Sequence, residues 1–259
     1  MYKTSLNKGL EILGEEFNTT KSGKCFVVDY KNSTNVLVAF YNPVCFVKTR
    51  LCLLRNGKVK NPLMPHVLGV GVIGIGKYGS RKDNKVYALW RNMLTRAYDA
   101  RFHIKQPSYQ DVTVCDEWLN FQNFAEWCYS QKFFNFKDDN GRSYQLDKDI
   151  LVKGNKVYSP ETCCFVPHEI NSLFLLRKSL RGEYPIGVSY NKQNRKFDMC
   201  LTHLGKKLSR SLHETPEEAF KAYKEAKELC IKEIAEKWKD KLDAKVYKSL
   251  LRYEVDMCD

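Results

Sequence analysis

The chain has 259 residues, of which 43% are hydrophobic and 13% aromatic. This composition supplies enough apolar side chains for packed cores and excludes a wholly disordered protein, and the length predicts more than one domain. The 43 Lys and Arg exceed the 30 Asp and Glu and give a net charge of +13. Such an excess commonly accompanies a polyanionic partner, although it also serves solubility.

The cysteines indicate a reducing environment. Ten are present, spread singly through apolar runs except for the adjacent Cys163 and Cys164, and no CxxC pair occurs. A zinc ribbon or a redox motif therefore has no support. The first residues lack the apolar core of a signal peptide, and no apolar stretch approaches the roughly 20 residues that span a bilayer. We expect reduced core cysteines in a cytoplasmic protein.

Residues 1–66 predict a small antiparallel β module. Its predicted strands are rich in Val, Phe and Cys and are separated by Gly, Asn and Pro residues: Lys24–Tyr30, Asn35–Phe40 and Cys45–Leu54. This module carries no chemical motif. Its role is left open between gripping a polyanion and binding another protein.

A glycine-rich stretch at 67–80 contains a formal GxGxxG, from Gly69 to Gly74. A dinucleotide site needs a helix directly after the glycines, whereas a polar loop follows here, so we interpret the stretch as a connector. Apolar residues at helical spacing then predict two helices, Asn84–Tyr98 and 116–130. Their aromatic residues favour core packing over base stacking.

The segment 145–171 carries the strongest chemical signal. It predicts a strand at Gln145–Val152, a tight loop, a second strand at Cys163–Val166 and a helix from Pro167. This order matches the ββα-metal unit of phosphodiester nucleases, which needs a carboxylate on the first strand and a second ligand on the helix. Asp147 and Asn171 have that separation, and two protein ligands with water and substrate oxygens suit Mg²⁺ or Mn²⁺.

Several spaced signatures in the region 67–180 resemble bacteriophage HNH endonucleases of the His-Me finger group, which are often homing-type. They are Trp90-x-x-Met93-x-x-Arg96, Pro107-x-Tyr109, Val114-Cys115-x-x-Trp118-x-x-Phe121-x-x-Phe124, Leu146-Asp147-Lys148 and Tyr158-Ser159-Pro160-Glu161-x-Cys163. The resemblance implies Mg²⁺-dependent DNA cleavage. It places metal ligands at Asp147 and Asn171, and it implies the cytoplasm of a host cell if the chain is phage-encoded.

The chain departs from this family at the general base, where Lys148 stands in place of histidine. A lysine is ordinarily protonated at neutral pH and cannot accept a proton, so Lys148 suits a contact to the scissile phosphate better. His168, three residues before Asn171 on the same helix face, is a candidate for the missing imidazole. The alternative for His168 is a residue at a helix start with no chemical role.

The last third predicts three strands, Ile186–Tyr190, Lys196–His203 and Lys207–Leu212, and a long helix. Thr215, Pro216 and Glu218 form the signature of a capping box at its start. Gly187-Val188, Thr215-x-Glu217-Glu218-Ala219 and Ala222-Tyr223 make 181–240 resemble an Apetala/ethylene-response-factor DNA-binding domain, although Ser189 replaces the family's arginine. That family lays a three-stranded sheet in the DNA major groove and packs a helix behind it.

Residues 181–210 hold seven basic residues against two acidic ones, a net +5 over thirty residues. They are expected to contact duplex DNA. The alternative is a solvated basic surface. The seven residues are Arg181, Lys192, Arg195, Lys196, Lys206, Lys207 and Arg210.

The sequence therefore predicts an α+β protein with three domains. These are an N-terminal β module at 1–66, an HNH-like nuclease domain at 67–180, and a DNA-binding domain with a C-terminal helix at 181–259. The predicted function is a Mg²⁺-dependent DNA endonuclease. The alternatives are a catalytically degenerate DNA-binding or regulatory protein with the same fold, and a viral protein that binds a host protein.

Overall fold

The computed structural model describes residues 11–174 and 183–257. It confirms the α+β class, since helices and antiparallel sheets occur in both parts of the chain. The chain divides into two compact units that meet in sequence at Cys128 and Tyr129. The boundary predicted at 66/67 stays a prediction, and the one at 180/181 lies outside the described residues.

The first unit begins with a four-stranded antiparallel meander. Its strands, in spatial order, are β1 (Glu16–Thr19), β2 (Gly23–Asn32), β3 (Asn35–Tyr41) and β4 (Val44–Thr49). One face of the sheet carries the core, which includes Cys25, Val38 and Phe40. The predicted strand Cys45–Leu54 was too long: it ends at Thr49, and Leu51–Arg55 forms helix α1. Leucine favours this helix, which buries Leu54 in the core.

The rest of the first unit is mainly helical. Its elements are β5 (Pro65–Val67), β6 (Gly71–Val72), α2 (Asn84–Tyr98), α3 (Ala100–Lys105), a 3₁₀ turn at Pro107–Tyr109, β7 (Thr113–Val114), a 3₁₀ turn at Asp116–Leu119, and α4 (Phe121–Ser130). Helix α2 has its predicted bounds and buries Val86, Trp90 and Met93. The predicted helix 116–130 is divided, because Asn120 has an extended backbone between the 3₁₀ turn and α4.

The glycine-rich stretch is packed against side chains of the same unit. The Gln122 amide donates to the carbonyl oxygens of Ile73 and Tyr78, at 3.0 Å each. A Cβ at Gly76 would lie 2.3 Å from the Gln122 Oε1 atom, and one at Gly74 would lie 2.4 Å from Asn120 Oδ1. These glycines therefore permit close packing of a connector, as the sequence indicated.

The second unit contains a ββα arrangement and, after it, a sheet covered by a helix. Its elements are β8 (Gln145–Asp147), β9 (Val157–Tyr158), β10 (Cys164–Val166), α5 (His168–Leu173), β11 (Val188–Asn191), β12 (Lys196–His203), β13 (Lys206–His213), α6 (Pro216–Trp238), a 3₁₀ turn at Lys239–Lys241, and α7 (Ala244–Leu251). The predicted strand Gln145–Val152 was wrong beyond Asp147, where the chain turns. Pro167 is the N-cap of α5, so it does not occupy the first helical position predicted for it.

The three-stranded sheet has the order β11-β12-β13 and lies against α6. Thr215 and Glu218 form the predicted capping box. Gly187 has φ 76°, and a Cβ at this position would lie 2.1 Å from the Tyr223 ring of α6. Only glycine tolerates both this conformation and this contact without strain, which lets the ring pack directly on the start of the sheet.

The mixed-charge run Lys237–Lys248 is not one continuous solvated helix surface. Helix α6 ends at Trp238, and the separate helix α7 buries Val246 and Leu250. Within the described ranges, none of the helices has the length and apolar character needed to cross a bilayer.

Candidate metal and DNA-contact site

Asp147 is the last residue of β8 and lies opposite Cys164 of β10. Its Oδ1 atom accepts the backbone N–H groups of Asp149 and Ile150, at 2.8 Å each. These bonds turn the chain out of the strand and fix the carboxylate. Burial raises the pKa of Asp147, and the two N–H donors oppose this effect. The carboxylate is therefore fixed in place, with one oxygen bonded to the backbone.

Asn171 of α5 contacts β8 at Gln145, two residues before Asp147. Its Nδ2 atom donates a 2.6 Å hydrogen bond to Oε1 of Gln145. Gln145 and Asp147 are two residues apart on β8, so their side chains share one face of the strand. The bond uses the amide nitrogen of Asn171 and leaves its carbonyl oxygen as the atom that suits a cation.

Lys148 is only 7% exposed, and its ammonium is engaged inside the loop that follows β8. It donates to Asp149 Oδ1 at 2.6 Å and to the Asn155 carbonyl oxygen at 2.8 Å. Asn155 in turn donates to the carbonyl oxygens of Lys148 and Val157. In this geometry Lys148 stabilises the loop. Its contact to a scissile phosphate stays a prediction.

His168 is the first residue of α5 and is half-buried. The next residue, Glu169, accepts from Lys237 Nζ at 2.6 Å and from Trp238 Nε1 at 2.7 Å, both at the end of α6. Although burial acts to raise the pKa of Glu169, these two donors outweigh it and lower the pKa. This cluster fixes the short helix that carries His168 and Asn171. The catalytic role of His168 stays a prediction.

Asp147 and Asn171 carry the oxygen donor types that a hard divalent cation prefers, and their joint binding of Mg²⁺ or Mn²⁺ stays a prediction. Within 11–174 and 183–257, no group of three or more His, Cys, Asp or Glu side chains is placed to hold a metal ion. Asp147 and Asn171 do not form such a group, since they are one carboxylate and one carboxamide. Mg²⁺ prefers such oxygen donors and keeps several waters in its coordination shell.

The basic residues of the C-terminal sheet fall into two groups: exposed residues at the turns, and residues that pair with an acidic side chain. Lys192, Arg195, Lys206 and Lys207 are exposed, at or beside the turns that join the strands. Lys196 forms an ion pair with Glu214 at 2.6 Å. Arg181 lies outside the described residues. The contact of all these residues with DNA stays a prediction.

Arg210 belongs to the second group. Its Nε atom lies 2.9 Å and 3.0 Å from the two carboxylate oxygens of Asp198 on the neighbouring strand. Arg210 lowers the pKa of Asp198 through this hydrogen-bonded pair. The pair orients the guanidinium on the face of the sheet and reduces the net charge offered there.

Sequence reasoning did not identify Gln145, Asn155 or Glu169. Gln145 has a usable signal, because it stands two residues before Asp147 and therefore on the same strand face. Asn155 stands in the predicted tight loop. The contact of Glu169 with Trp238 joins residues 69 positions apart, which no local pattern predicts.

Comparison of the chain with known protein families, curated proteins and solved structures finds no match in any of the three.

Proposed function

We propose that the chain is a Mg²⁺-dependent DNA endonuclease of the HNH-like, phage-encoded kind, in which Asp147 and Asn171 hold the ion. The observation that carries this proposal is the 2.6 Å hydrogen bond from Asn171 to Gln145. This bond supports the proposal because Gln145 stands two residues before Asp147 on β8, and alternate residues of a strand share a face. A carboxylate on a strand and a carboxamide on the following helix are thereby available to one cation.

The protein's own groups would then have distinct tasks. Asp147 and Asn171 orient the ion, which when bound stabilises the developing charge of a phosphodiester under attack. His168 accepts a proton from the attacking water as the general base. Lys148 holds the loop between β8 and β9, which keeps the Asp147 turn in place. Our proposal thus changes the role expected for Lys148.

Affinity for duplex DNA would come from the C-terminal sheet. Its exposed turn residues Lys192, Arg195, Lys206 and Lys207 can contact phosphates, and these contacts position a protein without reading sequence. A DNA endonuclease of this kind would act in the host-cell cytoplasm. Of the described cysteines, most are buried as expected for core residues, whereas Cys52 is exposed and is not a core residue.

A plasmid-nicking assay with Mg²⁺ or Mn²⁺ tests this proposal. We expect the wild type to nick supercoiled DNA, Asp147→Ala and Asn171→Ala to lose at least about 100-fold, and the control Asp111→Ala to keep its activity. Asp111 is an exposed carboxylate in the first unit. Absence of nicking by the wild type with every divalent cation tried would overturn the endonuclease.

The role of His168 needs a readout of its own. We expect His168→Gln to lower nicking at pH 7 and to recover part of the loss at pH 9, because hydroxide replaces the missing base. His103→Gln is the matched control, since this ring lies in the first unit against the Arg96 carbonyl oxygen. A His168→Gln rate equal to the wild type at pH 7 would remove His168 from the catalytic set.

One observation favours the second candidate, a DNA-binding protein that has lost catalysis. The residue after Asp147 is a lysine whose ammonium is bonded to Asp149 and Asn155, so it supplies no base. This candidate predicts that Asp147→Ala binds duplex DNA as the wild type does, and that neither protein cleaves it. Fluorescence anisotropy with a labelled duplex, run beside the nicking assay, separates the two candidates.

A further inference from the structure

A second concentration of positive charge lies in the first unit, away from the C-terminal sheet in sequence. Residues 77–105 contain eight Lys or Arg against two Asp, a net +6 over twenty-nine residues. This is a larger excess than the +5 of residues 181–210. The proposed nuclease site makes no use of it.

Both acidic residues of this segment are engaged by the backbone beside them. Asp83 accepts from the Gly79 N–H at 2.8 Å just before α2. Asp99 caps α3 by accepting from the Arg101 N–H at 2.8 Å. They therefore act as local turn and cap residues, at either end of α2.

Helix α2 itself contains no acidic residue from Asn84 to Tyr98. Its buried face packs Val86, Trp90 and Leu94 into the unit. Its opposite face is exposed and carries small, polar or basic side chains: Asn84, Lys85, Ala88, Arg91 and Asn92. Short residues beside a long cation allow a polyanion to approach the helix closely. At 15 residues the helix is about 22 Å long, which corresponds to about six base pairs at 3.4 Å each.

Five basic side chains of the segment are exposed and have no ion-pair partner within residues 11–174 and 183–257. They are Arg81, Lys82, Arg91, Arg101 and Lys105, and we call them the 77–105 cations. Lys77, by contrast, pairs with Glu126 at 2.9 Å, and Arg96 lies over the Tyr109 ring. The 77–105 cations are therefore open to a partner in solution.

We propose that the 77–105 cations form a second DNA contact, which binds backbone phosphates of duplex DNA without reading its sequence. The choice of partner rests on the proposed function, whereas the charge arrangement stands by itself. Each cation placed on a phosphate releases condensed counterions, so the contact strengthens as salt falls. It adds affinity for every duplex, whatever bases the duplex carries.

The test compares two triple variants that remove the same charge from the full-length chain. One is Arg81→Gln, Arg91→Gln, Arg101→Gln. The control is Lys31→Gln, Lys58→Gln, Lys60→Gln, at exposed sites of the same unit that lack ion-pair partners among the described residues. Anisotropy of a labelled 30-base-pair duplex is measured from 50 to 300 mM NaCl, and equal thermal midpoints show that both variants are folded.

We expect the arginine variant to bind at least about 10-fold more weakly than the control variant near 150 mM salt. Its slope of log affinity against log salt should be smaller by about 2 to 3, about one for each phosphate that is no longer neutralised. The weakening should be the same for two duplexes of unrelated sequence. Equal slopes and affinities for the two variants would overturn the second contact.

The two proposals fail in different ways. If the wild type binds DNA with a steep salt dependence and the arginine variant binds equally well, only the second contact fails. If the arginine variant binds weakly but the wild type cuts no plasmid, the endonuclease fails and the second contact stands. A wild type that does not bind duplex DNA at all overturns both.

Discussion

Gln145 of β8 and Asn171 of α5 stand 26 residues apart in the chain and are joined by a 2.6 Å hydrogen bond. The bond fixes the rotation of the Asn171 carboxamide, so its carbonyl oxygen has a defined direction. Groups that orient a metal ligand commonly change metal affinity or activity by 10- to 100-fold when removed. Gln145 therefore belongs to the candidate site although it holds no ion itself.

We expect Gln145→Ala to raise the Mg²⁺ concentration needed for half-maximal nicking by about 10-fold, because Asn171 is no longer oriented. Activity at saturating Mg²⁺ should fall less. Gln193→Ala, in the exposed turn between β11 and β12, is the matched control. An unchanged Mg²⁺ requirement in Gln145→Ala would show that the hydrogen bond serves the fold alone.

Asp147→Asn is expected to stabilise the protein at pH 7 while it removes nicking. Burial raises the folded-state pKa of Asp147 above its unfolded value, so ionisation of this carboxyl opposes folding at neutral pH. Asparagine removes the charge and keeps an oxygen for the Asp149 and Ile150 N–H groups. We expect a gain of about 0.5–2 kcal/mol in the free energy of unfolding, the range common for single stabilising substitutions.

The pH dependence of that gain has a definite sign. Above the folded pKa of Asp147 the wild type carries the buried charge and the gain is complete. It shrinks as pH falls through the folded pKa and vanishes below the unfolded value, where both states are protonated. Urea unfolding of wild type and Asp147→Asn from pH 3 to pH 8 measures this difference. A variant less stable than the wild type at pH 7 would contradict it.

Substitution of Lys148 tests whether its buried ammonium stabilises the loop or contacts the substrate. We expect Lys148→Ala to lower the free energy of unfolding by about 1–3 kcal/mol, because Asp149 and the Asn155 carbonyl lose a charged donor. Lys148→Met keeps the apolar stem and should lose less. A Lys148→Met protein with wild-type stability and no cleavage would indicate that Lys148 contacts the scissile phosphate and does not stabilise the loop.

Gly187→Ala is expected to destabilise the C-terminal sheet by about 1–3 kcal/mol. The added Cβ would enter the Tyr223 ring, and φ of 76° is strained for alanine. Gly205→Ala is the matched control, because Gly205 has φ 77° but open space around its Cβ position. The difference between the two thermal midpoints isolates the effect of the ring. Equal midpoints would show that the Tyr223 ring moves aside without a measurable loss of stability.

Local patterns predicted the elements whose residues interact with near neighbours. The spacing of Val86, Trp90, Met93 and Leu94 predicted α2 with its observed bounds, and Thr215 with Glu218 predicted the start of α6. Turn chemistry was harder to anticipate. The strand from Gln145 ends early because the Asp147 side chain bonds the backbone after it, and this choice depends on the fold around the carboxylate.

The site was predictable as residue types but not as geometry. The order of strand, loop, strand and helix singled out Asp147 and Asn171. The Gln145 hydrogen bond and the burial of Lys148 depend on how the helix and loop pack, which no spacing encodes. The 77–105 cations were visible as charge in the sequence, yet their freedom from ion pairs required the positions of every described acidic side chain.

Mn²⁺ bound to the crystalline protein is the most direct test of the central claim. Anomalous diffraction data from crystals soaked in MnCl₂ would locate the ion without reference to activity. Our account predicts a peak about 2.0–2.4 Å from a carboxylate oxygen of Asp147 and from the carbonyl oxygen of Asn171, absent from Asp147→Asn crystals. Mn²⁺ bound only at other carboxylates, with this pair bare, would contradict it.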